Sequence, residues 1–279
     1  MLIAASPAEL RASVSAWQKE GLKVGLVPTM GALHEGHLSL LAKVREQADR
    51  VVVSIFVNPT QFGPNEDFSR YPRQEEADIS LLKQAGCDLA YLPTVAAMYP
   101  QGFSTTISVS GVSEGLCGNC RPGHFSGVAT VVAKLLLQGL PDLAVFGEKD
   151  YQQLQVIKRL VLDLDIPVRI LGAPTLREAD GLAKSSRNAY LTPEERKVAP
   201  SLYRLLFEAA KRVQAGEAAS LACFEAAKAL IEAGFAKIDY LEVRDADSLA
   251  PVEHPKAPAR ILGAAWLGRT RLIDNLPLT

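Results

Sequence analysis

The chain has 279 residues, 48% hydrophobic and 22% charged, the proportions of a folded globular protein rather than a disordered one. Its 30 Lys and Arg balance 31 Asp and Glu to a formal net charge of -1, which argues against an extended basic nucleic-acid surface. No run of about eighteen apolar residues occurs, so no membrane span is expected. The start, Met1 to Pro7, lacks the basic residues and long apolar core of a signal peptide. Four cysteines without an export signal are expected to be reduced thiols in a cytoplasm.

The first two-thirds of the chain alternates strand-like and helix-like segments. Val24–Pro28 is a short apolar run that reads as a strand, and the helically spaced stretch Gly36–Gln47 follows it. Further strands are expected at Val51–Val57, Leu89–Leu92, Leu143–Phe146 and Val168–Leu171. Helices are expected at Glu75–Ala85, Val128–Leu137 and Tyr151–Leu162. Several of the strands do not alternate, as in strands covered on both faces. Strand–helix alternation of this kind predicts an α/β fold, a right-handed, doubly wound, mostly parallel sheet. Ligands in such sheets bind beyond the carboxyl ends of the strands. The stretch Pro93–Gly123 has the weakest periodicity.

The character changes near Pro174. Thr192-Pro193-Glu194-Glu195 has the chemistry of a helix start: a capping hydroxyl, proline at the first position, then acids in the first turn. One helix is expected from there to about Ala215, and another from Ser220 to Ala233, ended by Gly234. Three short strands follow at Ile238–Val243, Arg260–Trp266 and Arg271–Asn275. The expected division is therefore a sheet domain over residues 1–175 and a small α+β domain over 176–279.

Five segments carry candidate chemistry. Between the first strand and its helix lie Met30, Gly31, Ala32, Leu33, His34, Glu35, Gly36 and His37. A helix N-terminus there offers unpaired N–H groups and partial positive charge, which suit phosphate, and histidine adds a donor that titrates near neutrality. A helix-capping or surface histidine pair is the plain alternative. A metal site has no evident third ligand. Gly147-Glu148-Lys149-Asp150 ends a buried strand with a glycine and puts a lysine at a helix start; Gln153 lies one turn on. Lys184-Ser185-Ser186-Arg187 combines two cations and two hydroxyls on a loop, suited to phosphates but also to a solvated basic surface. Asn58 to Gly63, with Gln61, is either an amide-bearing substrate loop or a plain turn with Asx chemistry. Cys117-Gly118-Asn119-Cys120 admits half a zinc site or a redox pair, with His124 the only extra ligand nearby. No P-loop and no dinucleotide fingerprint follows a strand.

These segments occur together with Ser54-Ile55-Phe56-Val57-Asn58-Pro59-Thr60-Gln61-Phe62, Arg121-Pro122-Gly123-His124-Phe125 and Ser185-Ser186-Arg187-Asn188. In this order, over most of the chain, the set resembles the pantothenate synthetase (pantoate–β-alanine ligase) family. The resemblance implies a Rossmann-like HIGH-type nucleotidyltransferase fold, with His34-Glu35-Gly36-His37 as the first motif and Lys184 through Arg187 as a KMSKS-like second one. It implies ATP-dependent joining of (R)-pantoate to β-alanine through pantoyl-adenylate, releasing AMP and pyrophosphate, with Mg2+ accompanying ATP. The implied ATP site comprises Met30 through His37, Gly147 through Asp150, Leu176 by the adenine, and Lys184 through Arg187. His34, His37 and Lys149 would be catalytic, with His37 as proton donor, and Gln61 and Gln153 would bind pantoate. A homodimer is implied as well. The chain departs from the family pattern at Lys184, where an apolar residue is frequent, and at the Cys117/Cys120 pair. The nearest rival reading is a nucleotidyltransferase that passes AMP to a phosphorylated small molecule. A metal or redox module built on Cys117 and Cys120 is the rival of another class.

Overall fold

The structure, a computed structural model, describes residues 1–64 and 66–278. The chain divides into two units: Met1–Ser110, Arg121–Glu148 and Val156–Pro174 form the first, and Gly111–Cys120, Lys149–Gln155 and Thr175–Thr279 the second.

The first unit is built on six strands: β1 (Leu2–Ala4), β2 (Val24–Thr29), β3 (Arg50–Ile55), β4 (Leu89–Tyr91), β5 (Leu143–Gly147) and β6 (Arg169–Ala173). Their order in the sheet is β1-β4-β3-β2-β5-β6, and every pairing is parallel. From β2 the chain works outward through β3 to one edge and later resumes on the opposite side with β5. The order therefore reverses between β2 and β5, and their carboxyl ends flank the switch point where such sheets take ligands. The doubly wound parallel sheet expected from the alternation is present. Val51, Val53, Ala90 and Val145 are almost wholly buried, which explains why these strands read as unbroken apolar runs.

The helices of this unit are α1 (Pro7–Lys19), α2 (Glu35–Arg45), α3 (Glu75–Gln84), the one-turn α4 (Val95–Met98) and α6 (His124–Gly139). The short α5 (Leu116–Cys120) lies in the second unit, and α7 (Tyr151–Asp163) begins in the second and continues in the first. The short helices α4 and α5 were not among the expected elements, nor were β1 and α1. Strand β1 has only three residues and sits at the sheet edge with Leu2 and Ile3 exposed. Helix α1 opens with a capping box, Ser6 Oγ accepting the Glu9 N–H at 3.3 Å and Glu9 Oε2 accepting the Ser6 N–H at 3.0 Å. Helix α6 is longer than its expected core because it is buried on nearly every side, so no polar stripe marks its ends.

In the second unit β7 (Lys237–Asp245), β8 (Ala259–Leu267) and β9 (Thr270–Leu278) form an antiparallel sheet in that order. Helices α8 (Pro193–Val198), α9 (Ser201–Gln214) and α10 (Ala219–Glu232) share with it a core of Leu202, Leu206, Leu230, Ile261 and Ala265. The capping box at Thr192 and Glu195 forms as expected. The single helix expected from there to Ala215 does not: it is interrupted between Val198 and Ser201, where Pro200 has no N–H to continue the ladder. The three C-terminal strands are present and longer than expected.

One contact ties α6 to the loop after β3. A Cβ built at Gly127 would fall against the Thr60 carbonyl and 2.7 Å from Gln61 N. In an exposed helix, Gly to Ala adds about 1 kcal/mol of stability. Here overpacking reverses the sign, and Gly127→Ala is expected to destabilise the chain by about 1–3 kcal/mol. Denaturant unfolding measures this; a neutral or stabilising result would show that the Thr60 turn is free to move.

Candidate active site

The residues after β2 form the most constrained turn of the first unit. Thr29 Oγ1 donates to the Ser54 carbonyl at 2.7 Å and accepts the Gly31 N–H at 3.2 Å. Gly31 and Ala32 both take left-handed backbone, at φ 79° and 49°. Glycine does so without cost; alanine does not. The pair is held by Asp78 of α3, which is 2% exposed. Its Oδ2 accepts the Ala32 N–H and its Oδ1 the Leu33 N–H, both at 2.8 Å. A Cβ on Gly31 would lie 2.9 Å from the same carboxylate, so only glycine fits.

His34 is the N-cap of α2. Its Nδ1 accepts the Gly36 N–H at 3.1 Å, and the Nδ1 of His37 reaches back to accept the His34 N–H at 3.3 Å. The two ring centroids are 4.1 Å apart. This is a capping box made of two imidazoles. A ring nitrogen that accepts from an N–H carries no hydrogen of its own, so these contacts assign the proton to Nε2 in both residues.

Gln61 joins this turn from the loop after β3. Its Nε2 donates to Met30 Sδ at 3.1 Å, and its Oε1 accepts from Asn58 Nδ2 at 3.1 Å. Asn58 is 1% exposed and its own Oδ1 is taken by Tyr99 Oη at 2.8 Å and Thr60 Oγ1 at 2.9 Å. The Asx-turn chemistry is therefore present, and it serves to aim Gln61. Behind it, Arg121 binds both Glu66 oxygens, at 2.7 and 2.6 Å, and donates to His124 Nε2 at 2.9 Å. His124 Nδ1 then donates to the Gln61 carbonyl at 2.9 Å, since its other nitrogen is occupied by a donor-only group. Burial works against charge on Glu66, but the Arg121 guanidinium outweighs it and holds the carboxyl below its ordinary value. Gly147 ends β5 beside β2, within 4.0 Å of Leu40 on α2 if given a Cβ.

The other expected residues lie in the second unit. Lys149 and Asp150 follow Glu148 in a single 3-10 turn, with Lys149 Nζ 3.4 Å from Asp150 Oδ2. Gln153 is half-buried on α7. Leu176 is largely exposed, and its carbonyl accepts the Lys184 N–H at 2.9 Å. That bond belongs to a narrow hairpin-like loop in which Arg177 bridges to Ala183. Lys184 Nζ pairs with Glu178 at 3.1 Å, and Ser185 caps the 3-10 turn Ser186–Tyr190 by accepting the Arg187 N–H at 3.3 Å. Two buried neighbours on β9 hold these pieces together. Asp274 takes a two-pronged bond from Arg177, at 2.6 and 2.8 Å, and Asn275 Nδ2 donates to the Lys149 carbonyl at 2.9 Å. The Lys149 turn and the Lys184 loop thus lean on consecutive residues of one strand. Sequence reading found neither Asp274 and Asn275 nor Asp78. An isolated acid in a helix or strand has no local signature; only the fold shows what it faces.

Among the described residues, no three His, Cys, Asp or Glu side chains gather as a metal-ion set, and no helix is long and apolar enough to cross a membrane.

A parallel sheet with an imidazole-capped helix at its switch point, joined to an antiparallel α+β unit, defines the HIGH-type nucleotidyltransferase class. A family model described as Pantoate-beta-alanine ligase matches residues 2–277. The chain belongs to this family. A pantothenate synthetase from Paramagnetospirillum magneticum is 66% identical over 274 residues, covering 98% of this chain and 96% of that protein. One from Rhodospirillum rubrum is 59% identical, covering 98% of each. The crystal structure of pantothenate synthetase from Thermus thermophilus superposes with a TM-score of 0.90 at 48% identity over 99% of both chains. That of a Francisella tularensis pantoate-beta-alanine ligase, complexed with beta-gamma ATP and beta-alanine, gives 0.83 at 38% identity, covering 99% of this chain and 97% of that one.

Asp78→Asn keeps one acceptor but sets an amide N–H against a backbone N–H. It is expected to cost about 1.5–3 kcal/mol of stability and to raise the KM for ATP. Thermal unfolding and steady-state kinetics read both; unchanged values would detach Asp78 from the turn.

Proposed function

We propose that this chain joins (R)-pantoate to β-alanine at the expense of ATP, through pantoyl-adenylate. The observation that carries the reading is the family match over nearly the whole chain, with its HIGH-type turn seated at the sheet's switch point. In the first step a pantoate carboxylate oxygen attacks the α-phosphorus of ATP, and the bond to pyrophosphate breaks. In the second the amine of β-alanine attacks the acyl carbon, AMP leaves, and the nitrogen loses a proton.

The proposed roles follow from donor chemistry. Met30 through His37 line the nucleotide, and His34 and His37 present Nε2–H groups to phosphate oxygens. His37 is the proton donor of this reading, and its Nε2–H also stabilises charge developing on the phosphate. Gly147 through Asp150 hold ribose and phosphate, with Lys149 toward the transferring phosphoryl group. Leu176 covers the adenine, and Lys184 through Arg187 bind the outer phosphates. Gln61 and Gln153 bind pantoate through its hydroxyls and carboxylate. The neutral amide of Gln61 favours a hydroxy acid over the phosphorylated acceptor of the rival reading.

Mg2+ accompanies ATP in this proposal. Asp78 and Asp274 are committed to backbone N–H groups and to Arg177. A Mg2+ ion is therefore held through phosphate oxygens and water rather than in a carboxylate cage, and it screens the triphosphate charge. Homodimer assembly and a cytoplasmic location belong to the same proposal.

With ATP and pantoate alone, the chain is expected to release pyrophosphate and retain an acyl-AMP that can be trapped. AMP release is expected to require β-alanine as well. AMP transfer to a phosphate ester without β-alanine would reject the reading. His37→Ala is expected to slow adenylate formation by about two orders of magnitude or more. His37→Gln, which keeps an N–H near the Nε2 position, should retain more activity; equal losses would remove the donor role.

A further inference from the structure

Within the second unit, Cys117 and Cys120 lie three residues apart on α5. One helical turn separates their Cα atoms by about 5 Å, inside the range that a disulfide spans. Their surroundings are unlike those of the other two cysteines. Cys117 Sγ lies 3.5 Å from both terminal nitrogens of Arg271 and 3.1 Å from Tyr240 Oη. Deep burial keeps the Tyr240 phenol protonated well above its ordinary range, so its O–H is a donor toward the sulfur. Three donors thus converge on one sulfur and hold it in place. The Arg271 guanidinium also acts on Cys120, opposing the upward push on its thiol. The guanidinium is itself fixed, because Asp239 accepts from it at 2.7 Å, from Trp266 Nε1 at 3.0 Å and pairs with Lys237 at 2.8 Å. Gln152 Oε1 anchors the Cys117 N–H at 3.0 Å.

We infer that Cys117 and Cys120 form a reversible thiol–disulfide site, in which exposed Cys120 reacts first with a small disulfide oxidant and Cys117, held against Arg271, closes the intrachain bond. The chemistry balances with oxidised glutathione. The Cys120 thiolate attacks one of its sulfurs, the S–S bond breaks and one glutathione leaves. The Cys117 sulfur then attacks Cys120 Sγ, the mixed disulfide breaks and the second glutathione leaves. The two cysteine protons pass to the two departing glutathione sulfurs, so one small disulfide becomes two thiols. Partial burial and the Asp239 carboxylate push the Cys120 thiol up while Arg271 opposes them, so the first attack is the slow step. Cys87 and Cys223 stay out of the exchange: both are buried, with thiols pushed up to about 11 and about 12.

The inference stands apart from the proposed function, and its test reads mass rather than activity. The full chain is incubated with oxidised glutathione, quenched in acid and mapped by peptide mass. The expected product is a peptide carrying both cysteines that has lost two hydrogens, holds no glutathione and recovers its mass with dithiothreitol. Cys117→Ser, checked for an unchanged melting temperature, should instead keep glutathione on Cys120. Arg271→Lys should let that adduct persist longer than in the unaltered chain. A lasting adduct on Cys120 of the unaltered chain, earlier reaction at Cys87 or Cys223, or no reaction at all would overturn the site.

Discussion

The contact on which the proposed nucleotide site depends is the pair of bonds from the Ala32 and Leu33 N–H groups to the buried Asp78 carboxylate. A non-glycine residue in left-handed backbone costs about 1–3 kcal/mol and persists only where its surroundings hold it. Charge-assisted bonds to two consecutive N–H groups supply that hold. They fix where the chain leaves β2, and so where α2 begins. The start of α2 in turn places His34 at the cap and His37 one turn along, facing each other. Two imidazoles near the sheet's switch point are therefore a consequence of one acid on α3, which is far from them in sequence.

The capping reading of the histidine pair and the catalytic one are not alternatives. Capping uses Nδ1 of each ring, and that use is what leaves the hydrogen on Nε2. A serine or aspartate could cap α2 as well, but neither would project an N–H donor from the far side of the same side chain. The imidazole closes the helix with Nδ1 and keeps its N–H on the opposite edge.

Interior strands were legible because burial on both faces leaves them nothing but apolar residues, as in Val51 through Val53. The turn after β2 was legible because glycines and histidines at a strand–helix junction have few structural uses. Helix α1 was missed although Ser6, Pro7 and Glu9 carry a full capping signal; its residues were read only for a targeting segment. Pro200 breaks a stretch whose periodicity runs straight through it, and proline chemistry alone locates that break. Asp78, Asp274 and Asn275 were illegible for another reason. Each acts on backbone or side chains brought to it by sheet order, and no spacing in the chain announces such a partner.

The order of donors and acceptors around Gln61 bears on what the first unit can recognise. Tyr99 and Thr60 saturate Asn58 Oδ1, so Asn58 must offer its amide N–H, and Gln61 must receive it on Oε1. That leaves Gln61 Nε2 as the group at the turn, where it donates to the thioether of Met30, a weak acceptor. A ligand oxygen is a better partner than the sulfur and could take its place without disturbing Asn58. A carboxylate or hydroxyl oxygen fits a single neutral donor; a dianionic phosphate needs more positive charge than an amide supplies. Arg121 in this network is already bound by both oxygens of Glu66. The Glu66–Arg121 pair therefore braces the Gln61 main chain through His124 and holds the guanidinium on Glu66.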